Sequence, residues 1–483
     1  MRPARILTVR LVIAPVLITA LAASASATVH VVNPEGTGDY PTIQAAISAA
    51  ANGDTVALTN GTFTGPGNKN IDYLGKAIIA KSISGHPEVC LIDCEASYAS
   101  PHRGFHFHSA EGPQSVLEGV TIKNANLSGI GVYENGGAIR CAGTSAPTLR
   151  NCIFMNNAAC LGAGAFCADS SAPTLQYCTF SGNYAHGEDL VGGGSGGGLG
   201  CLDDSSPVVT ECIFSDNRAY SGGGVYLGND SHAELTGCTL IRNQGSYYGG
   251  GIGTADYSTL TVTGCTLVGN IAHGFGSGLA CWSNTQAPIE NTIVAFGCCV
   301  NAIVGGAQLS CCNVYGNSGG DWVGDIAGQY GINGNFSADP CFCDMPNDDY
   351  HLWNYSPCAQ VGCGLIGALP VACTDPQGLG DHSDDPGAGS RFILDIAPNP
   401  FESSTTMSFS IPSQLAASPI HLDIYDATGR LIRNLVNATL PAGSHDISWN
   451  GTDQAGKAMK SGVYVYKLCV GSKSEAGRLL LIR

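Results

Sequence analysis

Three sets of side chains in this sequence have types and spacings suited to chemistry. His102, His106 and His108 crowd one segment. His106 and His108 flank Phe107, so on an extended strand both leave by the face opposite Phe105 and Phe107, where a metal would bridge them. No third ligand accompanies them in the sequence, which favours a plain exterior strand face. The second set is acidic: Asp169, Asp203, Asn229 and Asp256 recur at one position of a repeat, with Asp204 and Asp230 beside it. Carboxylates stacked ~4.8 Å apart repel by about 1 kcal/mol per neighbour even in water. Either the position is a solvated turn in which Asp serves turn geometry, or bound calcium relieves the repulsion; the turn is the preferred reading and calcium the one cofactor in view. The third set suits contact with sugar rings. Arg140, Phe166 and Tyr226 fall at outward positions of a strand where Gly200, Gly253 and Ala280 are the other members. An eight-residue insertion adds Tyr184, His186, Glu188 and Asp189, and Tyr247-Tyr248 precede another Gly triplet. Aromatic rings facing solvent over a polar, neutral surface stack on sugars; the competing reading is that they stack on one another along the molecule.

What positions these groups is a repeat. Gly136-Gly137-Ala138-Ile139-Arg140-Cys141 aligns with segments beginning at Gly162, Gly196, Gly222, Gly249 and Gly276, in steps of 26, 34, 26, 27 and 27 residues. A second column runs in step through Val120, Cys152, Cys178, Cys212, Cys238, Cys265, Thr292 and Cys312. Each repeat offers three short strands separated by sharp turns, with no helical period and no hairpin spacing. Such units pair in parallel with the coil above and below. The expected fold is all-β: a right-handed parallel β-helix of roughly ten three-strand coils over residues 55–330, each coil ~4.8 Å high.

A third column is Asn157, Asn183, Asn217, Asn243, Asn270 and Asn317, each five residues after the second column. Stacked amides bond to the same amide one coil away and satisfy groups otherwise buried unpaired, which predicts an asparagine ladder. The chain holds 22 cysteines, ten of them in the two strand columns, where Leu227, Thr254, Val120 and Thr292 take equivalent places. Obligate disulfides do not tolerate such partners, so these cysteines read as small buried apolar groups. Cys341, Cys343, Cys358, Cys363 and Cys373 lie beyond the repeat, where bridges are expected and zinc is the competing reading.

Residues 1–27 read as a secretory signal, with Arg2, Arg5 and Arg10 ahead of an apolar run and Ala25-Ser26-Ala27 at its end. No later run is long enough to span a membrane. The expected chain is therefore exported, secreted or held at the cell surface. Its net charge is −17, which argues against nucleic acid and anionic lipid and permits a polysaccharide or surface glycan as partner. Residues 40–50 form a short amphipathic helix, with Ile43, Ala46, Ile47 and Ala50 on one face, that caps the first coil. The β-helix is expected over 28–373, a Gly/Asp/Ser/Pro-rich linker over 374–390, and an Ig-like β-sandwich of short alternating strands over 391–483.

Several segments resemble known families. Gly136-Gly137-Ala138-Ile139 and Phe154-Met155-Asn156-Asn157, with their repeats at Phe180 and Phe214, resemble the GGAI and FxxN repeats of polymorphic outer membrane proteins, which implies a β-helix displayed at a cell surface. The run from Gly38-Asp39-Tyr40-Pro41 to Ile47 resembles the start of pectin methylesterase-like and other pectate-lyase-superfamily β-helices. Pro398-Asn399-Pro400, the segment from Tyr425 to Arg430, Trp449-Asn450-Gly451 and Ser461-Gly462-Val463-Tyr464 resemble both type A sorting domains of type IX secretion and the Ig-like module of flagellar hook-capping proteins. The first implies an export address and contact with secretion machinery; the second implies only a folded module. The catalytic motifs of pectin esterases, polygalacturonases and pectate lyases are not found. The expected role is therefore non-catalytic adhesion or polysaccharide binding, with a polysaccharide lyase or hydrolase and an inert structural rod as the alternatives.

Overall fold

The computed structural model describes residues 26–127, 135–187, 193–282, 285, 287–359, 362–373, 393–411, 420–426, 431–454, 456–470 and 473–483. The proposed signal, Glu188, Asp189 and the proposed linker lie outside these residues, apart from the last two positions of the signal. The chain divides into two compact units, Met1–Pro376 and Gln377–Arg483.

In the first unit every coil sends its strands to separate sheets, and each strand pairs in parallel with the next coil. The sheets run from Val29–Val32 to Ala307–Ser310 with 11 strands, from Gly61–Phe63 to Asn313–Tyr315 with 10, and from Ile71–Asp72 to Ile303–Val304 with 9. The register is the one the repeat implies: Ile139, Arg140 and Cys141 pair with Ala165, Phe166 and Cys167, which pair with Leu199, Gly200 and Cys201. Alternation on each strand sends one set of side chains inward, so Phe154, Phe180 and Phe214 stack in the buried interior. Thr42 caps the helix Ile43–Ala49 by accepting the Ala45 N–H, and Ile43, Ala46 and Ile47 are buried at the first coil.

The coils are richer than three strands each. A fourth sheet runs through Ala158–Ala159, Tyr184–Ala185, Arg218–Ser221, Gln244–Tyr248 and Ile271–Ala272. Its inward position is occupied by Ala159, Ala185, Ala219, Gly245 and Ala272, all buried, because the chain turns too tightly there for a larger side chain.

The asparagines bond along the stack. Asn157, Asn183, Asn217 and Asn243 each donate from Nδ2 to Oδ1 of the asparagine one coil on, at 2.9–3.1 Å, and that same oxygen accepts the backbone N–H. The run ends at Asn270, since Gly297 stands in the next coil; Asn317 instead accepts the Gly297 N–H, so it is not a contiguous sixth rung. The residue before each rung, not the rung itself, takes the left-handed backbone, as at Asn156, Asp216 and Arg242.

The second-column cysteines are buried free thiols that do more than fill space. Cys265 Sγ accepts the Cys238 N–H at 3.3 Å and lies 3.4 Å from the Thr263 carbonyl to which it donates. Thr292 repeats the pattern with its hydroxyl, accepting from Cys265 N–H and donating to Glu290, so Thr stands in a cysteine column as a hydrogen-bonding equivalent. Burial raises the thiols of Cys152, Cys178 and Cys265 far above their usual range and that of Cys312 to about 12.

Beyond the last coil, Cys311–Cys363 and Cys343–Cys373 are bridged, as are the neighbours Cys298 and Cys299, while Cys341 and Cys358 stay outside these bridges. This segment covers apolar side chains that point out of the second sheet: Leu352 and Ile366 pack on Ile293 and Ala295, and Tyr350 on Ile241 and Val268. Arg242 fastens it by pairing with both Asp216 and Asp348.

The second unit has antiparallel sheets of three and four strands, Ile393–Ala397, Thr405–Ile411 and Gly443–Trp449 in one, and Leu431–Ala438, Ile420–Asp426, Gly462–Val470 and Lys473–Leu481 in the other. Trp449, Phe401, Phe409, Leu422 and Leu468 fill the space they enclose.

Candidate functional site

The fourth sheet positions the side chains best placed to meet a ligand. Its outward column sets Tyr184, Arg218 and Gln244 on successive coils, one paired with the next. They line a groove of about 560 Å³ together with Gly182, Asn183, Asp216 and Ser246. Tyr184 is 41% exposed. Asp216 is occupied by Arg242 at 3.0 Å through both carboxylate oxygens. Arg218, by contrast, makes no ion pair among the described residues, so its guanidinium is available to hydroxyl or anionic oxygen from outside.

Beside that column Tyr220 and Tyr247 stack with ring centroids 5.4 Å apart and planes 15° from parallel. A bulge makes this possible: Ala219 pairs with Gly245 and Ser221 with Tyr248, so the later strand holds an extra residue that turns Tyr247 over Tyr220. Gly193 lets the ring approach, because a Cβ there would lie 2.3 Å from the Tyr220 ring. Phe275 meets Tyr247 edge-on at 5.7 Å, Trp282 lies 5.1 Å from Phe275, and Tyr248 is sandwiched near Trp282 and Tyr226. Tyr220, Tyr247, Phe275 and Trp282 each keep more than a third of their surface in solvent. The tyrosines thus stack on one another, and the stack remains open on its outer side.

The outward strand position proposed from sequence is corrected at Phe166, which is 2% exposed. The first glycine of each triplet turns the chain back over the strand with φ of 57–79°, where a Cβ would come within 2.5 Å of backbone atoms. At Gly162 that turn closes on Phe166, whose ring lies against Gly200. Tyr226 is half-buried beneath Tyr248, and burial raises its phenol well above the usual value. His186 neighbours Tyr184 at 5.7 Å and is half-buried. Tyr247 was singled out from sequence beside its Gly triplet, whereas Tyr220, Phe275, Trp282 and Arg218 were not; the small-residue column two places after the ladder was the signal for the fourth sheet.

The acidic column lies in exposed two-residue turns. Asp169, Asp203, Asn229 and Asp256 have φ of 51–55°, and the residues after them, Asp204 and Asp230 included, are left-handed too. Left-handed turns select Asp and Asn, which accounts for the recurrence of these residue types. Asn229 Nδ2 donates to Asp203 at 3.0 Å. Among the described residues the one set of three metal-ligand types within 4.8 Å is Cys343, Asp349 and Cys373, and its two sulfurs are bonded to each other. Of the histidines, His102 is turned toward Asn70 and Ser100, whereas His106 and His108 stack with centroids 4.1 Å apart on the Gly-rich sheet, beside Arg140 and Asp72.

No helix among the described residues is long and apolar enough to cross a membrane. No curated protein sequence matches the chain. Among solved structures it is similar to PorZ, a surface component of the type-IX secretion system of Porphyromonas gingivalis (24% identity, 18% of this chain and 11% of that one, TM-score 0.14), so it spans about a tenth of that protein's length. It is also similar to pectin methylesterase from carrot (12% identity, 65% and 88%, TM-score 0.29) and to the enzymatically active domain of tailspike protein 2 of bacteriophage CBA120 (10% identity, 90% and 73%, TM-score 0.29). Residues 397–474 match the FlgD Ig-like domain. Residues 45–197 and 191–337, together more than half of the sequence, match the right-handed β-helix region, and the chain belongs to that family.

Proposed function

We propose that this is an exported or surface-displayed β-helix that binds an extracellular polysaccharide or surface glycan along its fourth sheet. The observation that carries the reading is the groove lined by exposed Tyr184, by Gln244 and by Arg218, which makes no ion pair among the described residues, with the exposed Tyr220–Tyr247 stack beside it. Tyrosine faces offer stacking surface to sugar rings, and the fork of Arg with the amide of Gln offers hydrogen bonds to ring hydroxyls. Five coils ~4.8 Å apart give a straight track a few sugar units long, which suits a polymer better than a small molecule. The carboxy-terminal domain is the proposed export address and anchor, and residues 1–27 the proposed signal; a reporter fused to residues 391–483 that fails to reach the surface of a type IX secreting cell counts against the first.

The test is a glycan array probed with the chain from residue 28 onward. Tyr220→Ala with Tyr247→Ala lowers affinity about 10-fold or more, from two lost stacking contacts. Absence of any bound glycan, or unchanged binding by the double variant, overturns the proposal.

A further inference from the structure

The outward face of the Gly-rich sheet carries a second constellation, in the coils before the groove. Ile71–Asp72 pairs with Phe105–Phe107, which pairs with Ile139–Cys141, so Asp72, His106 and Arg140 stand side by side. Asp72 is fixed by accepting the Leu74 N–H at 2.7 Å, and its other oxygen lies 3.1 Å from His108 Nε2. A carboxylate only accepts, so Nε2 of His108 carries a proton, and in the neutral ring Nδ1 is the nitrogen with the lone pair. His106 has the reverse arrangement. Its Nε2 lies 3.0 Å from Arg140 Nη1, and a guanidinium only donates, so Nδ1 carries the proton. Burial, with Arg103, His108 and Arg140 nearby, lowers the His106 value to about 3, which keeps this ring neutral. Arg140 makes no ion pair among the described residues, and the His108 side chain is 41% exposed.

We propose that Asp72, His106, His108 and Arg140 form a hydrolytic site for O-acyl esters presented from outside. His108 Nδ1 takes a proton from water as the water oxygen bonds to the acyl carbon and the carbonyl π pair moves to its oxygen. The His106 Nδ1–H and Arg140 hold that oxyanion. Its collapse restores the carbonyl and breaks the bond to the alkoxide, which recovers the proton from His108, leaving a carboxylic acid and an alcohol. Asp72 is a positioning residue that sets the His108 tautomer. Glycosidic hydrolysis fits less well, since it needs two carboxyl groups and the only one here is engaged with His108. The assignment is independent of glycan binding at the fourth sheet.

The experiment uses the chain from residue 28 onward with 4-nitrophenyl acetate, and acetylated xylan as a polymer whose acetate release is measured. The expected result is hydrolysis of at least one of the two that rises with pH through loss of one proton. It falls about 100-fold in His108→Gln and by a similar factor in Arg140→Gln, while His232→Gln, a histidine outside the cluster, keeps the full rate. Asp72→Asn lowers kcat and shifts the pH profile, which a purely structural role does not do. Unchanged circular dichroism establishes that each variant is folded. Hydrolysis of both substrates no faster than with free imidazole at equal concentration, or a His108→Gln rate equal to wild type, overturns the proposal.

Discussion

Replacing Asn217 by alanine removes a side chain that is fully buried and uses all its bonding capacity. Its Oδ1 accepts the N–H of Asn183 at 3.0 Å and the Nδ2 of Asn183 at 2.9 Å, and its own Nδ2 donates to Phe180 and Asn243. In the variant two buried donors of Asn183 lose their acceptor, whereas Asn243 Oδ1 keeps the backbone N–H of residue 217 at 3.1 Å. Each orphaned buried donor costs about 1–3 kcal/mol, so the loss is about 2–6 kcal/mol. Asn157→Ala, at the end of the run, orphans one donor, the Ala125 N–H, and costs about 1–3 kcal/mol. Coils of a solenoid couple mainly to their neighbours, so a single melting temperature is the wrong readout. Hydrogen exchange of amides in residues 178–221 reports the opening free energy of the affected coils directly. An Asn217→Ala variant that exchanges like wild type, or one less affected than Asn157→Ala, refutes the ladder's energetic role.

Three further outcomes follow from the same geometry. Cys212→Thr retains the acceptor for the Cys178 N–H and leaves exchange nearly unchanged, whereas Cys212→Val, of equal shape, orphans that donor and costs about 1–3 kcal/mol; equal effects contradict the hydrogen-bonding view of the column. Reducing agent loosens residues 337–373 by about 3–4 kcal/mol for each opened bridge, Cys311–Cys363 and Cys343–Cys373, and leaves the thiol columns as they were; unaltered exchange in that segment counts against it. Asp54 accepts the backbone N–H groups of Ala51 and Thr28, and these, with His30, hold its carboxyl at about 2. A lowered folded value means its stabilisation is complete above the ordinary carboxylate value of ~3.9 and disappears as pH falls through about 2, so exchange at Val29–Val32 accelerates over that window, and Asp54→Asn abolishes the step.

The coil architecture was legible because its determinants repeat in register: the Gly triplet, the second column and the asparagines each occupy one place per coil. The fourth sheet was not, because strands such as Tyr184–Ala185 and Ile271–Ala272 are two residues long and carry no periodicity of their own. Phe166 illustrates the limit of alternation, which assigns a strand face but not what folds over it; the turn at Gly162 decided its burial. Tyr247 depended on a bulge, a one-residue irregularity that no repeat alignment reveals. Asn317 had the right spacing after Cys312, yet Gly297 in the intervening coil broke the contact, since a ladder requires every neighbour and not only a frequent residue. The acidic column was legible as turn chemistry, and its left-handed angles are the reason for its composition.

Glycan binding on the fourth sheet is tested most directly by the exchange footprint of the chain from residue 28 onward, with and without the hexasaccharide form of the tightest array ligand. Protection confined to residues 184–186, 218–221 and 244–248 is the predicted result. Binding that leaves those amides unprotected, or protects another sheet instead, contradicts the account.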